Sequence, residues 1–170
     1  MTTSAEVLVD AIGRVRSIAG TVARSLTPEL LEGRLDPEAN TIAWLLWHVG
    51  RVQDAQVADA AGTDEVWIAD GWVDRFGLPF DSSATGYRQS ADEVGAVKGI
   101  AAELLLGYIE AVCDRTVAYL GTLSESDLDR VVDRNWSPPV TLAARLVSIV
   151  SDDLQHLGQA AFIRGVLERT

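Results

Sequence analysis

Apolar residues recur at three- and four-residue spacing through almost the whole chain, and that period confines it to packed helices. Residues 5–25 set Val7, Ile12, Val15, Ile18 and Val22 on one such stripe. Thr27 before Pro28 reads as the N-cap and first position of a short helix, because the hydroxyl accepts a free N–H and proline has none to lose. Asn40 is placed to cap a second long helix that closes near Gly62. Ser90 and Glu93 have capping-box spacing and open a third helix. It runs to about Gly121, with Gly95, Gly99 and Gly107 weakening its first half. Ser124 to Val132 reads as a short connecting helix. Pro138 and Pro139 lead into a fourth long helix, from Thr141 to about Arg169. No strand pattern competes, and the chain shows no internal repeat.

Four long amphipathic helices within 170 residues make an all-α four-helix bundle the cheapest fold, as one domain over 1–170. The stretch 62–89 is long for a bundle connection and carries Trp67, Trp72, Phe76, Pro79 and Phe80. Aromatics at that density argue for a loop folded down over one end of the bundle.

Charge and rare residues narrow the function. Asp and Glu number 25 against 14 Lys and Arg, a net charge of −11, which repels both nucleic acid and an anionic membrane surface. No apolar run approaches the roughly 20 residues of a membrane span, and residues 1–5 carry no basic leader, so a cytoplasmic protein is expected. A single cysteine, Cys113, excludes an intrachain disulfide and a CxxC pair, and its place in a helix predicts a buried, inert thiol. Two histidines mean that any imidazole chemistry uses His48 and His156.

On a helical wheel the apolar stripe of the fourth helix is Leu142, Leu146, Ile149, Ala160, Ile163 and Leu167. Its continuation through the middle meets Asp152, Asp153 and His156. A buried carboxylate needs a cation or strong hydrogen bonds. Asp152 and His156, four apart, project together from one face. His48 lies at the edge of the second helix's apolar stripe, one turn beyond Trp44. In a bundle His48, Asp152 and His156 can converge as a two-histidine, one-carboxylate site suited to zinc, nickel or iron(II), with coordination positions left open. Each part alone also has an ordinary reading: a satisfied core histidine, or an Asp–His hydrogen-bonded couple.

The stretches NTIAWLLWHVGRVQDAQVADAAG, GWVDRFGLPFDSSATGY and DRNWSPPVTLAARLVSIVSDDLQHLGQAAFIRGVL resemble the DinB-like superfamily, in particular its mycothiol transferase-type members. That resemblance implies a four-helix bundle, often dimeric, with a divalent metal held by one histidine from the second helix and a pair four apart on the last. His48 matches the first ligand and His156 the last. The middle position is histidine in many members but Asp152 here, as it is a carboxylate in the mycothiol-dependent maleylpyruvate isomerases. The implied chemistry is activation of a low-molecular-weight thiol, mycothiol, as thiolate toward a small electrophile. The implied partners are therefore small molecules and a second copy of the chain.

Several other residues have two readings. Asp153 is either a proton acceptor or ligand orienter, or a charge on the helix surface or behind the ligands. Arg51 is either a carboxylate binder or a surface salt bridge. Arg164 belongs to a site or to a dimer contact. Trp44 and Trp47 read as core, and Trp72 as a pocket lid or a packing anchor. Gly158 is placed to permit close helix approach and Gln159 to hydrogen-bond a ligand. Asp10, Asp54 and Asp59 read as solvated charges. Against the thiol transferase stand a maleylpyruvate isomerase-like activity and a non-enzymatic metal- or ligand-binding module linked to stress or dimerisation.

Overall fold

Side-chain caps set where most helices begin. Thr3, Thr27, Thr41, Ser90 and Thr141 stand in extended backbone, and each side-chain oxygen accepts an N–H from the turn that follows. In this computed structural model, which describes residues 2–169, the elements run in the following order. They are α1 (Ser4–Ala23), α2 (Pro28–Glu32), α3 (Ile42–Ala61), α4 (Val66–Ala69), α5 (Trp72–Phe76), α6 (Ala91–Ala96), α7 (Ala102–Leu120), a 3-10 turn (Glu125–Asp129), β1 (Val131–Asp133), β2 (Val140–Thr141) and α8 (Leu142–Leu167).

Three boundaries differ from the sequence reading. Thr41, not Asn40, caps α3, its Oγ1 accepting from the Trp44 N–H at 3.1 Å. The third helix is two pieces, α6 and α7, broken at 97–101. There Gly99 takes a left-handed conformation and its N–H goes to Glu32 Oε1 at 2.8 Å. The expected helix over 124–132 shrinks to the 3-10 turn and gives way to β1, which pairs antiparallel with β2. Strands this short carry no alternation for a periodicity argument to detect.

α1 and α3 each pack on both α7 and α8, so α1 lies diagonal to α3 across an all-α four-helix bundle of the DinB-like type. Ile12 and Val15 from α1, Leu45 and Leu46 from α3, Ile109 from α7 and Leu146 from α8 meet in its core. Val7 and Ile18, assigned to the α1 stripe, instead lie outside it at 59% and 38% exposed. Every residue from Ile42 to Arg51 is buried, so α3 is enclosed on all sides. One reason is Gly50: a Cβ there would stand 2.6 Å from Tyr108 Cε1, so its absence lets α3 and α7 close up.

The 62–89 stretch does fold onto the bundle, but two short helices replace the expected loop. Trp67, Trp72 and Phe76 surround the Tyr108 ring of α7, with centroids 5.1, 5.5 and 5.8 Å away. Trp72 is therefore a packing anchor and not a lid. Asp54, expected on a solvated face, is buried and fastens this segment by accepting from the Val66 and Trp67 N–H groups at 2.9 and 2.7 Å. No helix among the described residues is long and apolar enough to cross a membrane.

Candidate metal centre

The buried face of α8 is Leu142, Leu146, Ile149, Asp153, Leu157, Ala160 and Ile163. It runs through Asp153 and Leu157, so Asp152 and His156 stand at its margin, where α8 packs on α3. His48 faces them from α3 and is almost wholly buried. One ligand-capable atom from each of His48, Asp152 and His156 lies within 4.8 Å of the others. The Asp152 carboxylate bridges them, Oδ2 standing 3.9 Å from His48 Nε2 and Oδ1 3.5 Å from His156 Nε2. Two ligands of one tetrahedral zinc ion stand roughly 3.4 Å apart, so small shifts would bring the three into coordination. Asp152 opens the cluster to solvent, its side chain 37% exposed.

Both imidazoles are oriented from behind. His48 Nδ1 lies 2.5 Å from the Thr85 carbonyl oxygen, which can only accept, so Nδ1 carries the proton and Nε2 keeps its lone pair. His156 Nδ1 lies 3.2 Å from Gln159 Oε1 in the same sense. Gln159, expected from sequence to hydrogen-bond a ligand, stands against the histidine. Among the described residues Asp152 Oδ2 is buried without a hydrogen-bond partner. Two outward-held Nε2 atoms and an orphaned carboxylate oxygen are the donor set a divalent cation satisfies, so the residues present fit the expected metal.

The charges are tuned together. Hydrogen bonding to His156 holds Asp152 below the usual carboxylate range, and Asp152 in turn raises His156. Burial lowers His48 more than the Thr85 carbonyl raises it, which keeps it neutral. The indole of Trp44 covers that ring and donates from Nε1 to Gln89 Oε1 at 2.7 Å.

The remaining expectations resolve individually. Arg51 is fully buried, neither a surface salt bridge nor open to a substrate carboxylate. Its guanidinium stands 2.8 Å from Glu65 and 3.6 Å from Asp54, and donates to Tyr108 Oη at 3.2 Å. Asp153 is also fully buried, not a surface charge, and neither oxygen has a hydrogen-bond partner among the described residues. Burial, then the charge of Asp152, raises it far above the ordinary carboxylate range. Arg164 ties α8 to the end of α1, donating to the Thr21, Val22 and Arg24 carbonyls at 3.2, 2.9 and 2.8 Å. Gly158 has nothing within 4 Å of where a Cβ would stand, so it serves no close helix approach among the described residues of the chain. Cys113 is buried, and burial pushes its thiol up to about 11. Asp10 and Asp59 are solvated, as read, beside Arg14 and Arg145.

Sequence reasoning missed the strap 84–89. Gly86 sits at φ +95°, where a Cβ would lie 2.6 Å from His48 Nδ1 and 2.9 Å from Trp44 Cζ2. Only a residue without a side chain lets the strap press this close. The one signal was a glycine among small polar residues in an overlong connection.

A family model described as mycothiol-S-transferase matches residues 7–169. Among solved structures, the chain is similar to a conserved protein from Enterococcus faecalis at 26% identity and a TM-score of 0.92, covering 100% of both chains. No curated protein matches.

Proposed function

The chain belongs to the mycothiol-S-transferase family, and from that membership we propose a divalent-metal-dependent thiol S-transferase acting on small electrophiles. The observation that carries the reading is the orphaned Asp152 Oδ2 facing two histidines whose Nδ1 atoms are already engaged. His48, Asp152 and His156 would hold the ion, zinc first among the ions suited to this donor set. Such an ion would supply acidity, favouring the thiolate of a thiol of pKa ~8.5 at neutral pH. Asp152 contributes a full negative charge, since its carboxyl ionises well below neutrality. Thr85 and Gln159 fix the planes of the two imidazoles, and Trp44 shields the buried face of His48 from water. Its partners in this reading are mycothiol and an electrophile, and its assembly is a homodimer, to be checked by sedimentation.

The test is conjugation of mycothiol to an alkyl halide, an epoxide and an activated alkene. Product formation should require a divalent ion and be lost in His156→Ala. A zinc-loaded protein no faster than the spontaneous reaction across that panel overturns the proposal.

A further inference from the structure

We propose that Arg51 is a positioning residue for the metal centre, acting through the backbone strap that orients His48. The inference rests on the metal-binding reading of His48, Asp152 and His156. His48 and Arg51 are three apart on α3, so both face the strap. There they take consecutive carbonyls, Ala84 O receiving Arg51 Nε–H at 3.0 Å and Thr85 O receiving His48 Nδ1–H at 2.5 Å. Arg51 Nη2 reaches to Ser82 O, two residues before the strap, at 3.5 Å. The guanidinium is itself immobilised, by Glu65, by Asp54 and by the Tyr108 hydroxyl, which donates onward to Asp54 at 2.9 Å.

This arrangement gives a fully buried cation a task that packing alone does not. A planar fork with several donors can hold two carbonyls and two carboxylates at once, and a lysine ammonium cannot. Held there, Ala84 leaves the next carbonyl no freedom to swing away from Nδ1. The tautomer of His48, and with it the lone pair on Nε2, is thereby set from a residue that never touches the site.

The experiment compares Arg51→Lys, Glu65→Gln and Val15→Ala with the unmodified protein. Val15→Ala is a core truncation on α1, the helix diagonal to α3. In metal-free protein, imidazole NMR should show His48 protonated at Nδ1 with a slowly exchanging proton. That signal should vanish in Arg51→Lys and weaken in Glu65→Gln, while surviving in Val15→Ala even at equal loss of Tm. Zinc titration against a chromophoric chelator should give a Kd about tenfold or more weaker in Arg51→Lys, the scale of losing a group that orients a ligating histidine. An intact Nδ1 proton in folded Arg51→Lys overturns the proposal, as does equal loss of that proton in Val15→Ala. Should Arg51→Lys not fold, an unchanged signal in Glu65→Gln overturns it instead. Arg51-dependence of the signal in a protein that binds no zinc leaves the clamp standing and sinks the metal reading.

Discussion

The indole of Trp44 lies flat on the imidazole of His48, with ring centroids 4.6 Å apart and planes 9° from parallel. The two residues are four apart on α3, so one turn of helix builds both a candidate ligand and its cover. Trp44 also meets His156 edge-on at 6.3 Å. Any ion held by these histidines would lie close enough to perturb its emission. Titration with nickel(II) should quench part of the tryptophan fluorescence, saturating at one ion per chain. Trp44→Phe should lose most of that response while still binding metal in a direct assay. An equal response in Trp44→Phe would place the ion elsewhere.

The Asp152–His156 pair gives the metal-free protein a pH window. Asp152 is lowered, so its contribution to stability is present above its unfolded pKa of about 3.9 and is lost as pH falls through the depressed folded value. His156 is raised, so its contribution is present below its unfolded pKa of about 6.5 and is lost as pH rises through the folded value. Both are whole between about pH 4 and 6.5. The Tm difference between the metal-free protein and Asp152→Asn should be largest in that interval and shrink on either side. Zinc affinity should move oppositely at the upper edge, rising until His156 has lost its proton. A flat Tm difference from pH 4 to 8 contradicts the coupling.

How far this site could be read from sequence depends on which contacts are local. Asp152 and His156 share a helix face by spacing alone, and the period of α3 put His48 at the edge of a buried stripe. The bundle then brings the two faces together. The wheel ran the stripe through Asp152, Asp153 and His156 alike, where only Asp153 lies on the buried face and the other two stand at its margin. Neighbouring positions on a helix differ by only about 100°, and a stripe interrupted by three polar residues does not say which one faces inward. The strap was out of reach for another reason. Thr85 meets His48 and Ala84 meets Arg51 across more than thirty positions, through backbone atoms that every residue carries. Asp54 was misplaced similarly, because its partners are N–H groups of α4.

Asp153 sits at a cost. It is fully buried, its oxygens have no hydrogen-bond partner among the described residues, and burial holds it protonated far above the usual range. In the unfolded chain the same group ionises near pH 3.9, so its effect is harmless below that pH and increasingly destabilising above it. Asp153→Asn removes the ionisation without changing the volume. The variant should be more stable at pH 7 by about 1 kcal/mol, after allowing for the unpaired amide it introduces. For a chain of this size that is roughly 2–4 °C in Tm. The gain should disappear near pH 4, and zinc binding should survive. A loss of stability at pH 7 would mean that the Asp153 carboxyl stabilises the fold by more than its suppressed ionisation costs.

Gly86→Ala tests the strap at its tightest point. At φ +95° an L residue is strained in its backbone, a cost of about 1–3 kcal/mol. The added Cβ would also need to sit 2.6 Å from His48 Nδ1, 2.9 Å from Trp44 and 3.2 Å from Trp47. Trp44 and Trp47 are buried in the enclosed part of α3 and cannot yield, so the strap has to lift. Lifting takes the Thr85 carbonyl from Nδ1, and His48 is then free to protonate at either nitrogen. The expected outcome is a lower Tm together with weaker zinc binding and a partial gain in solvent exchange at His48. Helical content should stay unchanged, since 84–89 lies outside α3, α7 and α8. A variant with lowered Tm but native zinc affinity would show that His48 holds its orientation without the strap. The tight approach at Gly86 would then matter to packing alone.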